Sequence, residues 1–232
     1  MKIFIIHLNR YPERKLEMIK QMKKIKFYYS FFNAIDGLKL TKNELREKYS
    51  KKDSFFHCNR ELTLGEIGNA LTHIEIYNKI IKENIKYCLI MEDDIGIRKN
   101  FDEILKRVSK FPKDWEIINF STDIKGITFN NPLYKNYYLT KFKPNSRINR
   151  ASCYLINIKA AKKLLKFAFP IRFPSDGLLG NISLVGIKTY GITPMPVDLL
   201  DFPTTLKNRR SFFLKTRYLS WSKKILEYIF RH

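Results

Sequence analysis

Apolar and polar residues follow two alternating patterns at the start of this chain. Short apolar runs at residues 2–8 and 27–33 are typical of buried strands, whereas residues 12–25 carry apolar residues every three or four positions, as an amphipathic helix does. The predicted buried face of this helix consists of Leu16, Ile19, Met22 and Ile25. A strand, a helix and a second strand in this order predict a parallel sheet with a right-handed crossover.

The same alternation continues further along the chain. A helix is predicted over residues 64–83, with Thr63 and Glu66 spaced as a capping box at its start. Further elements are predicted as strands over residues 115–121 and 153–158 and as helices over residues 100–110, 159–168 and 178–184. Residues 122–150 show no clear period and are predicted to form long loops. This order predicts the α/β class, with a mostly parallel central sheet flanked by helices.

A predicted strand that begins at Tyr87 ends in three consecutive acids, Glu92, Asp93 and Asp94. Two unit charges about 4 Å apart repel by roughly 4 kcal/mol at an effective dielectric near 20, and a divalent cation removes this cost. Oxygen ligands favour Mg²⁺ or Mn²⁺, which often complete their coordination with substrate phosphates. The alternative is that the acids cap the next helix or lie in water. The metal is favoured, because open α/β sheets bind ligands at the carboxyl ends of their strands.

Length and composition are those of one globular domain, which is expected over residues 1–205 of the 232, since 44% of the chain is hydrophobic. The three cysteines, Cys58, Cys88 and Cys153, are widely spaced and odd in number, which favours the reduced thiols of an intracellular protein. No stretch reaches the roughly 18 apolar residues of a membrane span, and Met1 to Leu8 is too short for a signal-peptide core. A cytoplasmic location is therefore expected.

The net charge of +22 is large enough to attract polyanions or anionic lipid. A metal-dependent nuclease or another nucleic-acid-binding protein is therefore the alternative hypothesis for this chain. Against it, the basic residues are spread along the whole sequence, and no recognised nucleic-acid-binding motif is present. No nucleic-acid partner is expected.

Residues 206–232 combine apolar residues at helical spacing with eight basic residues and one acid, Glu227. A basic amphipathic helix with Trp and Tyr on its apolar face fits a membrane interface, at about 1 kcal/mol for each Lys or Arg near an anionic leaflet. The alternative is a terminal helix packed on the domain, because an aromatic stripe is more often part of a core. A membrane-associating C-terminal helix is the favoured prediction.

Five sequence blocks, in this order, resemble those of glycosyltransferase family 25, the enzymes that extend bacterial lipooligosaccharide and whose nucleotide-sugar domain has the GT-A fold. Together the blocks cover roughly residues 1–180. They are residues 5–10 (IIHLNR) with Arg14, residues 33–37 (NAIDG), residues 65–73 (GEIGNALTH), residues 89–94 (LIMEDD) and residues 153–157 (CYLIN).

Residues from several blocks form the donor site that the resemblance implies. Two of them, Arg10 and Arg14, also lie where the first strand meets its helix, a position that favours a bound diphosphate, although an exposed basic helix start would explain them as well. The expected donor-binding residues are Leu8, Asn9, Arg10, Arg14, Asp36, Gly65, Glu66, His73 and Asp93. Ordinary explanations stay open for three of them: a plain turn at Asp36, a capping role for Glu66 and core packing for His73.

The resemblance also implies how the carboxylates act. In enzymes of this fold such acids hold a metal that neutralises the departing diphosphate, so Asp94 and Glu92 are the expected metal ligands. Asp176 is the expected catalytic base for the acceptor hydroxyl, and Glu92 is the second catalytic carboxylate. Asp176 could instead cap a helix, and Asp198 and Asp201 are weaker candidates for the base.

The activity implied by the resemblance is an inverting transfer of a hexose from a UDP-sugar to the core of lipooligosaccharide. Galactose is the favoured sugar and glucose is possible. Mn²⁺ or Mg²⁺ is the implied cofactor, and the acceptor is a lipid-linked oligosaccharide. The enzyme is therefore expected to lie peripherally on the anionic inner face of the cytoplasmic membrane.

Overall fold

A computed structural model of the chain describes residues 1–143, 145–200 and 202. Asp201 and the predicted C-terminal helix over residues 206–232 lie outside the described residues. The strands in the described part are β1 (Lys2–His7), β2 (Tyr29–Asn33), β3 (Tyr87–Glu92), β4 (Ile95–Ile97), β5 (Ile117–Asn119), β6 (Ile127–Thr128), β7 (Tyr138–Lys141), β8 (Cys153–Asn157), β9 (Thr189–Thr193) and β10 (Val197–Leu199).

Eight of these strands form one central sheet in the order β2-β1-β3-β8-β5-β9-β7-β6. β1 pairs in parallel with β2 and β3, and β5 pairs in parallel with β9. β7 and β8 are antiparallel to both of their neighbours, so the other six strands run in one direction. β4 and β10 form a separate antiparallel pair. The predicted α/β class with a mostly parallel sheet is confirmed.

Helices surround this sheet, joined by two short 3-10 turns at Gly37–Lys39 and Val108–Lys110. The helices are α1 (Pro12–Met22), α2 (Lys42–Lys48), α3 (Lys51–Cys58), α4 (Leu64–Lys82), α5 (Phe101–Leu105), α6 (Ile158–Leu165), α7 (Ser175–Leu179) and α8 (Ile182–Val185). Within the described residues, no helix is both long enough and apolar enough to cross a bilayer.

The two faces of the sheet are buried under different helices. On β1, Ile3 and Ile5 pack with α1 and α5, whereas the alternate residues Phe4 and Ile6 pack with α4 and α6. This alternation follows from the two-residue period of a strand. The apolar run of β1 is therefore covered on both sides, as expected for a central parallel strand. The run over residues 27–33, also predicted as a buried strand, instead forms the half-buried edge strand β2.

The start of α4 forms as predicted. Thr63 Oγ1 accepts a hydrogen bond from the backbone N–H of Glu66, and the Glu66 carboxylate accepts one from the backbone N–H of Thr63. This capping box satisfies backbone donors that a helix start otherwise leaves unpaired. It fixes where α4 begins beside the acid-bearing end of β3.

Three expectations about the elements are wrong. Leu16 is 62% exposed, because α1 turns Arg14 and Met18 inward instead, while Met22 is buried as predicted. Residues 122–150 are not only loops: they contain β6 and β7, which extend the sheet beyond β9. The helix predicted over residues 100–110 is instead the short α5 followed by a separate 3-10 turn.

The three cysteines fit the expectation of packing thiols. Cys88 and Cys153 are buried, Cys58 is half-buried, and all three are unpaired. Burial raises the pKa of the Cys58 thiol to about 11 and that of Cys88 to about 12, so both remain protonated at neutral pH.

Candidate active site

The three acids lie at the carboxyl end of β3, in the turn that leads to β4. β1 is the parallel neighbour of β3, and Ile6 lies opposite Glu92 in the register. The next residues along the two strands, His7 and Asp93, therefore meet at the same edge of the sheet. This is the edge at which open α/β sheets bind ligands.

Asp93 faces β1 and α1. Its Oδ2 lies 2.8 Å from Nδ1 of His7, and its Oδ1 accepts a hydrogen bond of 3.5 Å from Arg14. All three side chains are buried. Both carboxylate oxygens of Asp93 are thus engaged by the protein, and its predicted contact to the donor stays a prediction.

Glu92 faces α4 instead. Asn69 Nδ2 donates to Glu92 Oε1 at 2.8 Å, and His73 Nε2 lies 3.7 Å from the same oxygen, which is too long for a hydrogen bond and leaves an electrostatic attraction. Burial alone would raise the pKa of Glu92, but His73 and the hydrogen bond from Asn69 outweigh it and bring the pKa to about 2. Glu92 is therefore ionised at neutral pH.

A buried polar chain orients the His73 ring. Its Nδ1 lies 2.7 Å from the hydroxyl of Tyr154, which lies 2.8 Å from the hydroxyl of Tyr77. The rings of His73 and Tyr154 are also stacked, with centroids 5.7 Å apart. Because Nδ1 is held by Tyr154, Nε2 is the nitrogen turned towards Glu92. His73 is buried and its Nδ1 is hydrogen-bonded, as the core-packing explanation requires, but its Nε2 has no hydrogen-bond partner among the described residues. Its predicted donor contact stays a prediction.

Of the three acids, Asp94 is the one whose negative charge is least compensated by the protein. Its side chain is 37% exposed, yet its Oδ1 atom is buried and has no hydrogen-bond partner among the described residues. Burial, followed by the nearby charge of Glu92, raises the pKa of Asp94 to about 7, although Arg14 opposes the shift. The nearest Arg14 nitrogen is 4.0 Å from Asp94 Oδ2, so that charge is only partly compensated.

The residues present fit a hard divalent cation. Within the described residues, no three His, Cys, Asp or Glu side chains converge as a complete metal-binding group, and both oxygens of Asp93 are already engaged by His7 and Arg14. Mg²⁺ and Mn²⁺ need fewer protein ligands, because such ions are often held by one or two carboxylates together with water and substrate phosphates. The unpartnered Oδ1 of Asp94 beside ionised Glu92 matches that requirement.

The loop after β1 and the loop after β2 are joined by an ion pair. Arg10 Nη1 donates to both carboxylate oxygens of Asp36, at 2.7 and 2.9 Å. Asp36 also accepts a hydrogen bond from the backbone N–H of Leu38, so the predicted turn is present. Leu8 and Asn9 precede α1 in the same region, where the carbonyl of Leu8 accepts from Tyr11 N–H at 2.9 Å.

Two glycines allow this second loop to lie directly on α4. A Cβ at Gly37 would lie 1.7 Å from the carbonyl oxygen of Leu64, and a Cβ at Gly68 would lie 2.5 Å from that of Ile35. At Gly68, as at Gly37, the closely approaching group is therefore backbone. Gly65, also a predicted donor residue, lies in the first turn of α4 beside this contact.

Glu66 is a buried anchor at the start of α4. Beyond the capping box, its two oxygens accept hydrogen bonds of 2.7 and 2.6 Å from the guanidinium of Arg60. The capping explanation is confirmed, and the predicted contact of Glu66 with the donor stays a prediction.

Asp176 lies in the first turn of α7, close to the start of α4. Glu66, and more weakly Asp176, raise the pKa of Arg60, which places the Asp176 charge near this guanidinium. Ser175, the preceding residue, lines a small space together with His73. Of the weaker candidates for the base, Asp198 pairs with Arg98 at 2.8 Å, and Asp201 lies outside the described residues.

His7 is the residue of this site that the sequence analysis did not select. It stands in the first family block directly before Leu8, but it lies inside an apolar strand, where a histidine is usually a packing residue. The available signal was the pairing of β1 with β3, since a polar residue at the end of β1 must lie beside the acids at the end of β3.

Comparison with known proteins shows the family of this chain. The family model described as "Glycosyltransferase family 25 (LPS biosynthesis protein)" matches residues 1–179. The chain belongs to glycosyltransferase family 25. A family 25 member from Aedes aegypti is 29% identical over 71% of this chain, and procollagen galactosyltransferase 2 from Mus musculus is 26% identical over 50% of it.

The chain spans only 28% of the length of the Aedes aegypti relative and 20% of the mouse one. A human relative, 25% identical over 50% of this chain and 21% of its own length, is described as an inactive family 25 member. Among solved structures, the galactosyltransferase LgtC in complex with donor and acceptor sugar analogs is 10% identical over 88% of both chains, with a TM-score of 0.41. The protein A197 from STIV is 11% identical over 82% of this chain and 80% of its own, with a TM-score of 0.40.

Proposed function

We propose that this family 25 domain is a metal-dependent, inverting glycosyltransferase that moves a hexose from a UDP-sugar to the core of lipooligosaccharide. The observation that carries the proposal is the Asp94 carboxylate beside ionised Glu92, with one buried oxygen that lacks a partner among the described residues. The family description as an LPS biosynthesis protein supports the acceptor. The relatives named procollagen galactosyltransferase support galactose as the first sugar to test, ahead of glucose.

The protein would hold Mn²⁺ or Mg²⁺ through Asp94 and Glu92. When bound, such an ion neutralises charge on a diphosphate leaving group. Neighbouring side chains hold these two carboxylates in position. Asn69 and His73 fix Glu92 from α4, and Arg14 lies beside Asp94 from α1.

The donor would lie along the edge formed by the loops after β1 and β2. Arg10 and Arg14 supply positive charge where α1 begins, and a helix start favours bound phosphate. Asp36 lies across this edge and is proposed to contact the ribose or the uridine, in exchange for part of its ion pair with Arg10. Leu8, Asn9 and Gly65 would line the same edge through their backbone.

Asp176 is the proposed base for the acceptor hydroxyl. Glu92, with a pKa of about 2, is a weak proton acceptor at neutral pH and is better suited to binding the ion. Asp176 lies on the α4 side of the site, near the small space lined by Ser175 and His73. The acceptor would therefore approach between α4 and α7.

Residues 206–232 are proposed to bring the enzyme to its lipid-linked acceptor on the inner face of the cytoplasmic membrane. Eight basic residues against one acid support attraction to an anionic leaflet. Vesicles with and without anionic lipid, compared for the full chain and for a chain ending at residue 205, test this part. Equal binding of both chains to anionic vesicles would contradict it.

The central experiment measures donor hydrolysis and transfer with UDP-galactose, UDP-glucose and UDP-N-acetylglucosamine, in Mn²⁺ and in EDTA. We expect transfer from UDP-galactose that requires the metal and is lost in Asp94→Asn. The matched control is Asp102→Asn, which changes an Asp that pairs with Lys106 and should leave transfer intact. Asp176→Asn should stop transfer but still allow UDP binding. Tight binding of duplex DNA in 200 mM salt by a protein that ignores UDP-sugars would instead support the nucleic-acid alternative.

A further inference from the structure

We infer that His7 is a positioning residue for the metal centre, acting through Asp93; this inference rests on the proposed function. His7 is 2% exposed and lies at the last position of β1. Its Nδ1 is 2.8 Å from Asp93 Oδ2, and since an ionised carboxylate can only accept, Nδ1 carries the proton. The contact is therefore a directional hydrogen bond between β1 and the acidic turn.

The His7 ring is itself held in place. It packs edge-on against Phe31 of β2, with ring centroids 5.9 Å apart and planes at 75°. Its backbone carbonyl accepts a hydrogen bond of 2.8 Å from Ala34 N–H. A ring fixed by two neighbouring strands holds its carboxylate partner with little freedom to rotate.

Asp93 then transmits this position to the residues on either side of it. His7 holds one oxygen of Asp93, and Arg14 holds the other from α1. With Asp93 fixed towards α1, Glu92 points to Asn69 on the opposite face of the sheet, and Asp94 keeps its Oδ1 without a partner among the described residues. The alternation of β3 turns Glu92 to the opposite face, and His7 and Arg14 together occupy both oxygens of Asp93, which leaves Glu92 and Asp94 as the acids available to an ion.

The geometry specifies which substitutions can replace His7. The side-chain nitrogen of asparagine stands at the same distance from Cβ as Nδ1 of histidine, so His7→Asn keeps a donor facing Asp93. The amide of glutamine extends one bond further, and leucine has no donor. Only the asparagine variant should therefore preserve the position of Asp93.

The test measures Mn²⁺ binding by electron paramagnetic resonance of the free ion, with and without UDP, which needs no turnover. Loss of the hydrogen-bond partner of a metal ligand typically weakens metal binding about 10–100-fold. Because His7 acts one residue further out, through Asp93, we expect a loss at the lower end of this range, about 10-fold, for His7→Leu and His7→Gln. His7→Asn should retain most of the affinity. The Mn²⁺ concentration for half-maximal transfer should shift in parallel, while the rate at saturating Mn²⁺ changes less.

Two controls separate positioning from general loss of stability. Ile5→Val removes one buried methylene from the same strand and should leave Mn²⁺ affinity unchanged. Asp93→Ala combined with His7→Leu should bind no more weakly than Asp93→Ala alone, since His7 acts through Asp93.

Wild-type Mn²⁺ affinity in both His7→Leu and His7→Gln would overturn the inference, and so would an equal loss in Ile5→Val. A wild-type protein that binds no Mn²⁺ would overturn the metal centre itself and this inference with it. The two failures are therefore distinguishable.

Discussion

Removing the charge of Asp94 should stabilise the metal-free protein although it abolishes metal binding. The folded protein raises the pKa of this carboxyl from 3.8 to about 7, so it binds the Asp94 proton more tightly than the unfolded chain does. As pH rises from about 4 to 7, the unfolded chain releases this proton first, and the contribution of Asp94 to folding stability falls. Above pH 7, Asp94 is ionised in both the folded and the unfolded chain, and the folded protein bears the full free-energy cost of burying this charge.

The size of the cost follows from the pKa difference. For a fully shielded carboxyl it would be about 4 kcal/mol, at 1.36 kcal/mol for each pKa unit. The side chain is 37% exposed and solvent screens it, so we reduce the expectation to about 1–2 kcal/mol. In a chain of this length, that gain corresponds to a rise in Tm of about 2–8 °C.

The assay is thermal unfolding of wild type and Asp94→Asn in EDTA at pH 5 and pH 8. We expect the variant to be more stable at pH 8, with a smaller gain at pH 5, where the folded wild-type carboxyl keeps its proton. Added Mn²⁺ should raise the Tm of wild type only. An Asp94→Asn protein less stable than wild type at pH 8, or a gain equal at both pH values, would refute the reasoning, and Asp102→Asn should show no such gain.

Three further outcomes are expected. Arg60→Leu removes two charge-assisted hydrogen bonds from the buried Glu66 carboxylate, while those of the capping box remain, and should cost about 1.5–3 kcal/mol in urea unfolding; a loss below 1 kcal/mol would contradict the anchoring role. Tyr154→Phe removes the hydroxyl that pairs with both His73 and Tyr77, so it should lower the free energy of unfolding by about 1–3 kcal/mol and also reduce kcat. The control Tyr87→Phe, at the start of β3, should be nearly neutral. Gly68→Ala should destabilise by about 1–3 kcal/mol, because its Cβ would overlap the backbone of Ile35; unchanged stability would show that this loop moves freely.

The sequence was most informative where one local pattern determines structure. The capping box at Thr63 and the apolar run before Glu92 act over a few residues, so α4 and the acid-bearing end of β3 could be predicted. The repulsion among the acids was also predictable: after burial, the charge of Glu92 is the next cause that raises the pKa of Asp94.

Other features depend on tertiary contacts that local patterns do not contain. Leu16 fits the apolar stripe of α1, but the helix is rotated so that Arg14 reaches Asp93. β6 and β7 are short and partly exposed, and they form strands because β9 supplies a partner. His7 became a site residue only through the pairing of β1 with β3.

The contact of residues 35–37 with the first turns of α4 has a consequence for sequence variation. At Gly37 and Gly68 even a methyl group would collide with main-chain atoms, so neither position can be exchanged without moving a whole segment. A saturation library that selects for correctly folded protein should therefore be strongly enriched in glycine at both sites. The exposed Lys39 and Lys42 nearby should accept nearly any residue in the same library.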